Sequence, residues 1–356
     1  MRKSLRLLGL LALWIVLLAA TAWGSAALWF DGPASRPLAA LLAAAYPLIT
    51  LALLILLRPM RRAYFASLIL FAVLLGWWLS IAPSNSRDWQ PEVARLAYAE
   101  IDGDRVKVHN IRNFDYRSET DFTPAYYDKT FDVSKLESVD LVAVYWMGPA
   151  IAHTIMSFGF EGGDHLAFSI ETRKEQGEAY STVKGFFKQY ELYYVVADER
   201  DVIRVRSNYR KDPPEDVYVY RVHGPIENGR RLFLEYINRI NRLKEKPEFY
   251  NTLTDNCTTG IWMNTRVNPG HPALSWKILA SGYVPEYLHE GGRLAPGTSF
   301  DELQRKAHIN ARAQAADQAA DFSRRIRIGV PGMDPDAAHP LQSSGPPIRQ
   351  SKNPDE

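Results

Sequence analysis

The first 83 positions are apolar in three long runs, and the rest of the chain alternates between apolar and polar positions in the manner of a folded soluble domain. The uncharged runs cover residues 7–30, 37–57 and 63–83. Each exceeds the roughly 18–20 residues that a helix needs to cross a bilayer core, so three transmembrane helices are predicted. A cleaved signal peptide is disfavoured for the first run by its length and by the two spans close behind it. Pro47 in the second run is expected to kink a membrane helix without ending it. Arg2, Lys3 and Arg6 precede the first run and Arg58, Arg61 and Arg62 separate the second from the third, whereas the intervening loop holds only Asp31 and Arg36. Positive charge is retained inside, which predicts a multi-pass protein of the bacterial inner membrane with a cytoplasmic N-terminus and a periplasmic main domain. Trp77 and Trp78 fall near the outer end of the third run, where interfacial indoles are favoured.

Beyond Pro83 the periodicity changes. "LVAVYW" reads as a buried strand, "HTIMSFGF" and "HLAFSIE" flank "EGGD" as a hairpin, and "LYYVVAD" and "DVYVYRV" read as further strands. Residues 226–246 carry Leu232, Leu234, Ile237, Ile240 and Leu243 at helical spacing before Pro247 ends the run. The segment 300–322 is Ala-rich and also expected to be helical. These elements predict an α+β class: three N-terminal membrane helices (residues 1–83), then one extracytoplasmic domain over residues 84–330 with an antiparallel sheet packed on helices. From 331 to 356 Pro, Ser, Gln and charges dominate, which predicts a disordered tail.

Composition adds two constraints. A net charge of +2 over 356 residues carries no polybasic signal, so no nucleic-acid partner is expected and membrane lipid is. There is one cysteine, Cys257, within "YNTLTDNCTTGIW". Asp255 and Asn256 are strong N-cap types, and Ile261 and Trp262 begin an apolar face one turn later, which places Cys257 in the first turn of a helix. Unpaired amides and the positive helix end there favour a thiolate. A small-hydrophobe role in a core is the alternative, but Thr254, Asp255, Asn256, Thr258 and Thr259 are polar neighbours. A lone cysteine without a Cys/His cluster gives no zinc spacing, so neither a metal nor another cofactor is expected.

A cysteine nucleophile needs a base and a group to orient it. In the predicted hairpin Met156, Phe158 and Phe160 share a phase with Leu166, Phe168 and Ile170, which leaves His153 and Ser157 opposite His165, Ser169 and Glu171. If the loop is the three residues Glu161-Gly162-Gly163, His153 lies directly across from Glu171, at the roughly 5 Å of a cross-strand pair. Arg173 continues that face and could bind a carboxylate or phosphate. The expected catalytic residues are Cys257, His153 and Glu171. Ser169, Arg173, Asn256, Asp255 and His165 are candidates for supporting or substrate-binding roles.

The stretches "AHTIMSFGF", "LAFSIETRKE", "YYVVADERD" and "FYNTLTDNCTT" resemble the Lnb-type N-terminal periplasmic domain family across most of residues 100 to 325. The resemblance implies a fold similar to circularly permuted NlpC-type papain-like proteins, in which a histidine hairpin precedes the cysteine helix. It also implies an activity like that of Lnb, which moves an acyl chain within a lipoprotein's glyceryl anchor onto the terminal amine. The expectation is therefore a membrane-anchored thiol acyltransferase acting on lipoproteins or other lipid-linked substrates. The alternatives are a cell-envelope peptidase, amidase or lipid hydrolase, in which water is the acceptor, and a non-catalytic binding module.

Overall fold

In the computed structural model, which describes residues 2–333, the chain divides into two compact units. One holds the chain through Ser86 together with Ala179–Glu191 and Glu248–Thr252; the other holds Arg87–Glu178, Leu192–Pro247 and the chain from Leu253 on.

The first unit is built on α1 (Arg2–Phe30), α2 (Arg36–Leu56) and α3 (Met60–Ser80), all long and apolar enough to cross a membrane. Helix α2 continues through Pro47, as expected, while α3 stops three residues before the end of the apolar run. Small residues lie buried along these helices: Ala27, Ala39 and Ala63, with Gly24 against Tyr46. Ser25 Oγ also donates to the Ala43 carbonyl at 2.6 Å. Lipid tails are as apolar as leucine, so close packing and interhelical hydrogen bonds, not the hydrophobic effect, hold such helices together. Ala179–Glu191 looks like outer-domain sequence yet groups with the helices. Lys188 Nζ donates to the Ile81 carbonyl at 2.8 Å, and Gln189 Nε2 donates to Asp31 Oδ1 at 2.8 Å. Gln189 Nε2 also donates to the Phe30 carbonyl at 2.8 Å, so these side chains satisfy carbonyls at and just beyond the helix ends.

Among the described residues the second unit contains ten strands, the first residue of β9 apart: β1 (Tyr98–Asp102), β2 (Arg105–Arg112), β3 (Asp115–Tyr116), β4 (Phe122–Thr123), β5 (Tyr126–Asp132), β6 (Leu136–Tyr145), β7 (Ala152–Phe160), β8 (His165–Arg173), β9 (Glu191–Ala197) and β10 (Asp216–Arg221). Eight form one sheet in the order β1-β2-β9-β8-β7-β6-β10, with β5 paired to β2, and β3 pairs with β4 apart from it. The expected antiparallel sheet is mixed, because β2 meets β9 in parallel where Arg112 pairs Ala197. The helices are α4 (Glu199–Val202), α5 (Ile226–Glu245), α6 (Cys257–Thr265), α7 (Trp276–Leu279), α8 (Val284–Glu290), α9 (Phe300–Ala307), α10 (Asn310–Ala315) and α11 (Phe322–Arg327), with a π-turn at Val205–Tyr209.

Helix α5 covers one face of the sheet. Phe233 and Tyr236 rings lie 5.4 and 5.7 Å from Phe158, and Tyr236 lies 5.0 Å from Phe168. Burying each such ring is worth about 1.5–3 kcal/mol. The buried stripe of α5 runs through Phe233 and Tyr236, and Leu234 is only partly buried. The opposite face, which carries the polar phase of the hairpin, is also buried: Ile155, Ala167 and Val144 form one core with Val202, Ile203, Ala313, Phe322 and Ile326. His153, Ser157 and Ser169 therefore sit inside a layer.

The single long helix expected over 300–322 is two shorter ones, α9 and α10, and α11 begins only at Phe322. Ile309 N donates to the Val217 carbonyl and Asn310 Oδ1 accepts from Val217 N, so the edge of β10 captures the chain between α9 and α10. An edge strand's unpaired amides and carbonyls outcompete the helical ladder there. Of the expected disordered tail, Met333 is described and buried, and residues 334–356 lie outside the described chain.

Candidate active site

The β7–β8 hairpin sets the first half of the site. Gly159 pairs with His165 and Ile155 with Ser169, and Phe160 N donates to the Asp164 carbonyl at 2.8 Å, which closes the three-residue loop 161–163. Continuing that register puts His153 across from Glu171, and His153 Nε2 stands 3.0 Å from Glu171 Oε1. Ser169 joins them: its hydroxyl donates to Glu171 Oε1 at 2.7 Å, and its oxygen lies 2.6 Å from His153 Nε2. With the Ser169 proton committed to the carboxylate, Nε2–H donates, and Nδ1 is left to face the thiol.

The second half is the start of α6. Asn256 is its N-cap and accepts from the amides of Thr258 and Thr259 at 2.9 Å each, while Thr259 Oγ1 accepts from the Asn256 amide. This reciprocal capping box fixes the first turn. The Cys257 amide has no hydrogen-bond acceptor among the described residues. Gly260 lets the turn press onto β8: a Cβ there would stand 2.7 Å from Ile170 Cδ1. The approach brings Cys257 against His153 and the Thr154 amide, with Thr258 Oγ1 at 3.7 Å from the sulfur.

Electrostatics couple the pieces. Burial pushes the Cys257 thiol up, but charge and hydrogen bonding from His153, with the Thr154 amide and the Thr258 hydroxyl, bring it down to about 7. Burial pushes the His153 imidazolium down, and Glu171 outweighs this and raises it to about 9. Burial likewise opposes the Glu171 carboxylate, and His153 and Arg206 hold its pKa well below the usual range. Between about pH 7 and 9 the resting site is a thiolate–imidazolium pair, the reactive form of a cysteine nucleophile.

Residues 122–282 match the family described as the Lnb N-terminal periplasmic domain. This stretch is an Lnb N-terminal periplasmic domain. The match encloses His153, Ser169, Glu171 and Cys257. Together with the three apolar helices it makes the chain a membrane-anchored periplasmic protein. No curated protein and no solved structure matches the chain.

Three candidates named from the sequence stand elsewhere in or beside the Lnb domain. Arg173, expected to bind a carboxylate or phosphate, is instead 2% exposed, donates to the carbonyls of Val93 and Ala94 at 2.9 Å, and stacks over Trp89. His165 lies at the hairpin turn with Nδ1 3.0 Å from the Gly163 carbonyl, six residues along the strand from Glu171 and away from the sulfur. Asp255 accepts from the Thr254 hydroxyl at 2.6 Å and takes no part in the cap. Conversely, sequence reading missed Arg206, whose NH2 donates to Glu171 Oε1 at 2.9 Å and whose NH1 reaches Glu215 at 3.3 Å. It sits in the π-turn, where no periodic signal marks it.

A pocket with about 990 Å³ of empty space, its open mouth included, lies on the α5 side of the sheet and reaches Thr258, whose hydroxyl stands 3.7 Å from the sulfur. Leu141, Met156, Leu232, Ile261, Trp262 and Ile278 give it an apolar wall. Its polar edge includes Thr258, whose hydroxyl touches the sulfur, and Thr154, 3.2 Å from the Thr258 hydroxyl.

Glu171→Gln tests the coupling. The amide keeps an acceptor for Nε2–H but removes the charge that most raises His153, so the imidazolium pKa falls below about 9 and the thiol pKa rises above about 7. The window for the ion pair should narrow from both sides. Iodoacetamide labelling of Cys257 followed against pH should show the midpoint moving up; an unmoved midpoint would remove Glu171 from the relay.

Proposed function

We propose that this Lnb domain is a cysteine-dependent acyltransferase of the inner membrane, with the N-terminus cytoplasmic, that moves an acyl chain between lipid-linked substrates such as lipoproteins. The observation that carries this reading is the apolar pocket ending at the hydroxyl that touches the Cys257 sulfur. A thiol beside such a pocket is placed for an acyl ester, whereas a peptide backbone needs lining donors and acceptors along its length.

The thiolate of Cys257 attacks the ester carbonyl carbon. The S–C bond forms, and the Cys257 amide with the positive end of α6 stabilises the oxyanion. As the C–O bond breaks, the His153 imidazolium gives its Nδ1 proton to the leaving alkoxide. An amine then attacks the thioester, neutral His153 takes its proton, and the C–S bond breaks to return the thiolate–imidazolium pair. Ser169 and Glu171 hold the ring with Nε2–H engaged throughout. Arg206 keeps Glu171 ionised, so that the charge opposite the ring stays fixed.

The full chain in phosphatidylethanolamine/phosphatidylglycerol vesicles is expected to gain one acyl mass on Cys257, removable by neutral hydroxylamine. A synthetic peptide bearing an N-terminal diacylglyceryl cysteine should discharge that mass onto its amine. An acyl group released only as free fatty acid, with or without the peptide, would replace transfer by hydrolysis. The absence of any thioester would remove the acyl reading.

A further inference from the structure

The outer wall of the apolar pocket is itself apolar on its solvent side. Ile278, Val284 and Tyr287 line the pocket from the segment that holds α7 and α8, and Ile278 is 3% exposed. The same segment turns Leu274, Trp276 and Leu279 outward at 63%, 61% and 52% exposure. The β6–β7 loop lies beside it. Gly282 N donates to the Ala150 carbonyl at 3.0 Å, Ser281 Oγ accepts from Ala152 N at 2.9 Å, and Tyr145 OH donates to the Gly282 carbonyl at 2.7 Å. That loop adds Met147 and Ile151, 67% and 40% exposed. Five large apolar side chains on two hydrogen-bonded segments are thus exposed, three of them on the segment that supplies one wall of the pocket. Soluble proteins rarely leave such a group exposed without an interaction to serve.

Two observations identify the occupant. Six residues, 81–86, join the third apolar helix to the outer unit. They reach about 20 Å at full extension, which tethers the outer unit close to a bilayer. Second, the cation within α7 is already neutralised, since Lys277 Nζ bonds Glu290 at 2.8 Å and Glu286 at 3.3 Å. What the face offers is an indole and aliphatic side chains, the combination suited to a headgroup–acyl boundary and unsuited to an acidic partner.

We propose that the face formed by Met147, Ile151, Leu274, Trp276 and Leu279 docks into the outer surface of the lipid bilayer and opens the pocket mouth directly to membrane lipid. This rests on the acyl-pocket reading for its purpose. The four-residue helix α7 then stands between two apolar spaces, the bilayer outside and the pocket inside, and an acyl chain passes from one to the other without crossing water.

The experiment needs no turnover. In a Cys257→Ser background, which leaves no other thiol, Leu279→Cys is labelled with the environment-sensitive dye NBD, and the full chain is reconstituted into phosphatidylethanolamine/phosphatidylglycerol vesicles. Lipids carrying a nitroxide on the acyl chain should quench at least about half of the emission, as expected for a group held about 5–10 Å into the boundary. Met147→Cys should behave alike, and Glu161→Cys at the β7–β8 turn should stay bright. Quenching at 279 and 147 by aqueous iodide to the same extent as at 161 would overturn the proposal. So would an apolar NBD spectrum at 279 without nitroxide quenching, since protein would then cover the face. Because the background lacks the nucleophile, either failure leaves the acyltransferase reading standing, and the loss of that reading leaves this result interpretable.

Discussion

Cys257→Ser is expected to abolish transfer while leaving the fold intact, and His153→Ala is expected to lower turnover by about 10³-fold or more. Serine nearly matches the shape of cysteine, and the capping box of Asn256 and Thr259 holds α6 without the sulfur. The hydroxyl has no accessible anion near neutral pH, so the nucleophile is gone. His153→Ala acts twice. It removes the charge and hydrogen bond that bring the thiol to about 7, and it removes the group proposed to give a proton to the leaving alkoxide. A thiol returned to an ordinary value near 8.5 has roughly fifteen-fold less thiolate at pH 7. A more basic thiolate is intrinsically faster, which restores part of that loss in a labelling assay but none of the lost acid catalysis. Labelling of the wild type should therefore rise through about pH 7, and that of His153→Ala well above it. The same midpoint in both proteins would leave Cys257 a packing residue and end the enzyme reading.

Arg327→Met should cause the largest loss of stability. Arg327 on α11 bridges Asp140 on β6 (Nε to Oδ2, 2.9 Å) and Glu199 on α4 (NH1 to Oε2, 2.8 Å), and both carboxylates are fully buried. Glu199 also takes the Ser157 hydroxyl at 2.5 Å, and Asp140 retains Arg221. Removing one partner of a buried ionic group leaves uncompensated charge and costs about 3–5 kcal/mol. For a unit of this size that corresponds to a melting point lower by roughly 6–20 °C. Arg327→Lys should recover only part of it, because an ammonium cannot match the planar fork that spans two carboxylates. Burial pushes both carboxyls up, but Arg221 and Arg327 hold Asp140, and Arg327 holds Glu199, below the ordinary values of 3.8 and 4.5. The folded-state pKa is the lower one, so this stabilisation is complete above those values and fades as pH falls beneath them. Thermal unfolding of the full chain in detergent, from pH 7 down to 3, should show the wild type converging on the mutant in acid. A gap that stays constant with pH would assign the loss to packing.

Both predictions turn on one layer of the fold, the buried face of the β6–β7–β8 sheet, and that layer separates what local sequence reports from what it cannot. The three spans, the β7–β8 register and the cap of α6 each follow from rules acting over a few residues. These are hydrocarbon thickness against helix rise, the two-residue side-chain period closed by a three-residue loop, and an Asn whose carbonyl meets amides two and three positions on. His153 across from Glu171, and Cys257 at a helix start, were legible for that reason. Which face of the sheet is buried was not, because both phases of β7 can be covered once a second helical layer arrives. That is why Arg173 reads as a carboxylate or phosphate ligand and is a buried clamp, and why the segment 300–322 reads as one helix and is broken on the edge of β10. Arg206 meets Glu171 across 35 positions and Thr258 meets Thr154 across 104. The sequence alone singled out Cys257, His153 and Glu171 as candidates and determined how each sits in its own element. The tertiary structure decided which of them meet, the charge that Glu171 is given, and the apolar pocket that reaches Thr258 beside the sulfur. Those are properties of packed surfaces contributed by distant segments, and no local period encodes them.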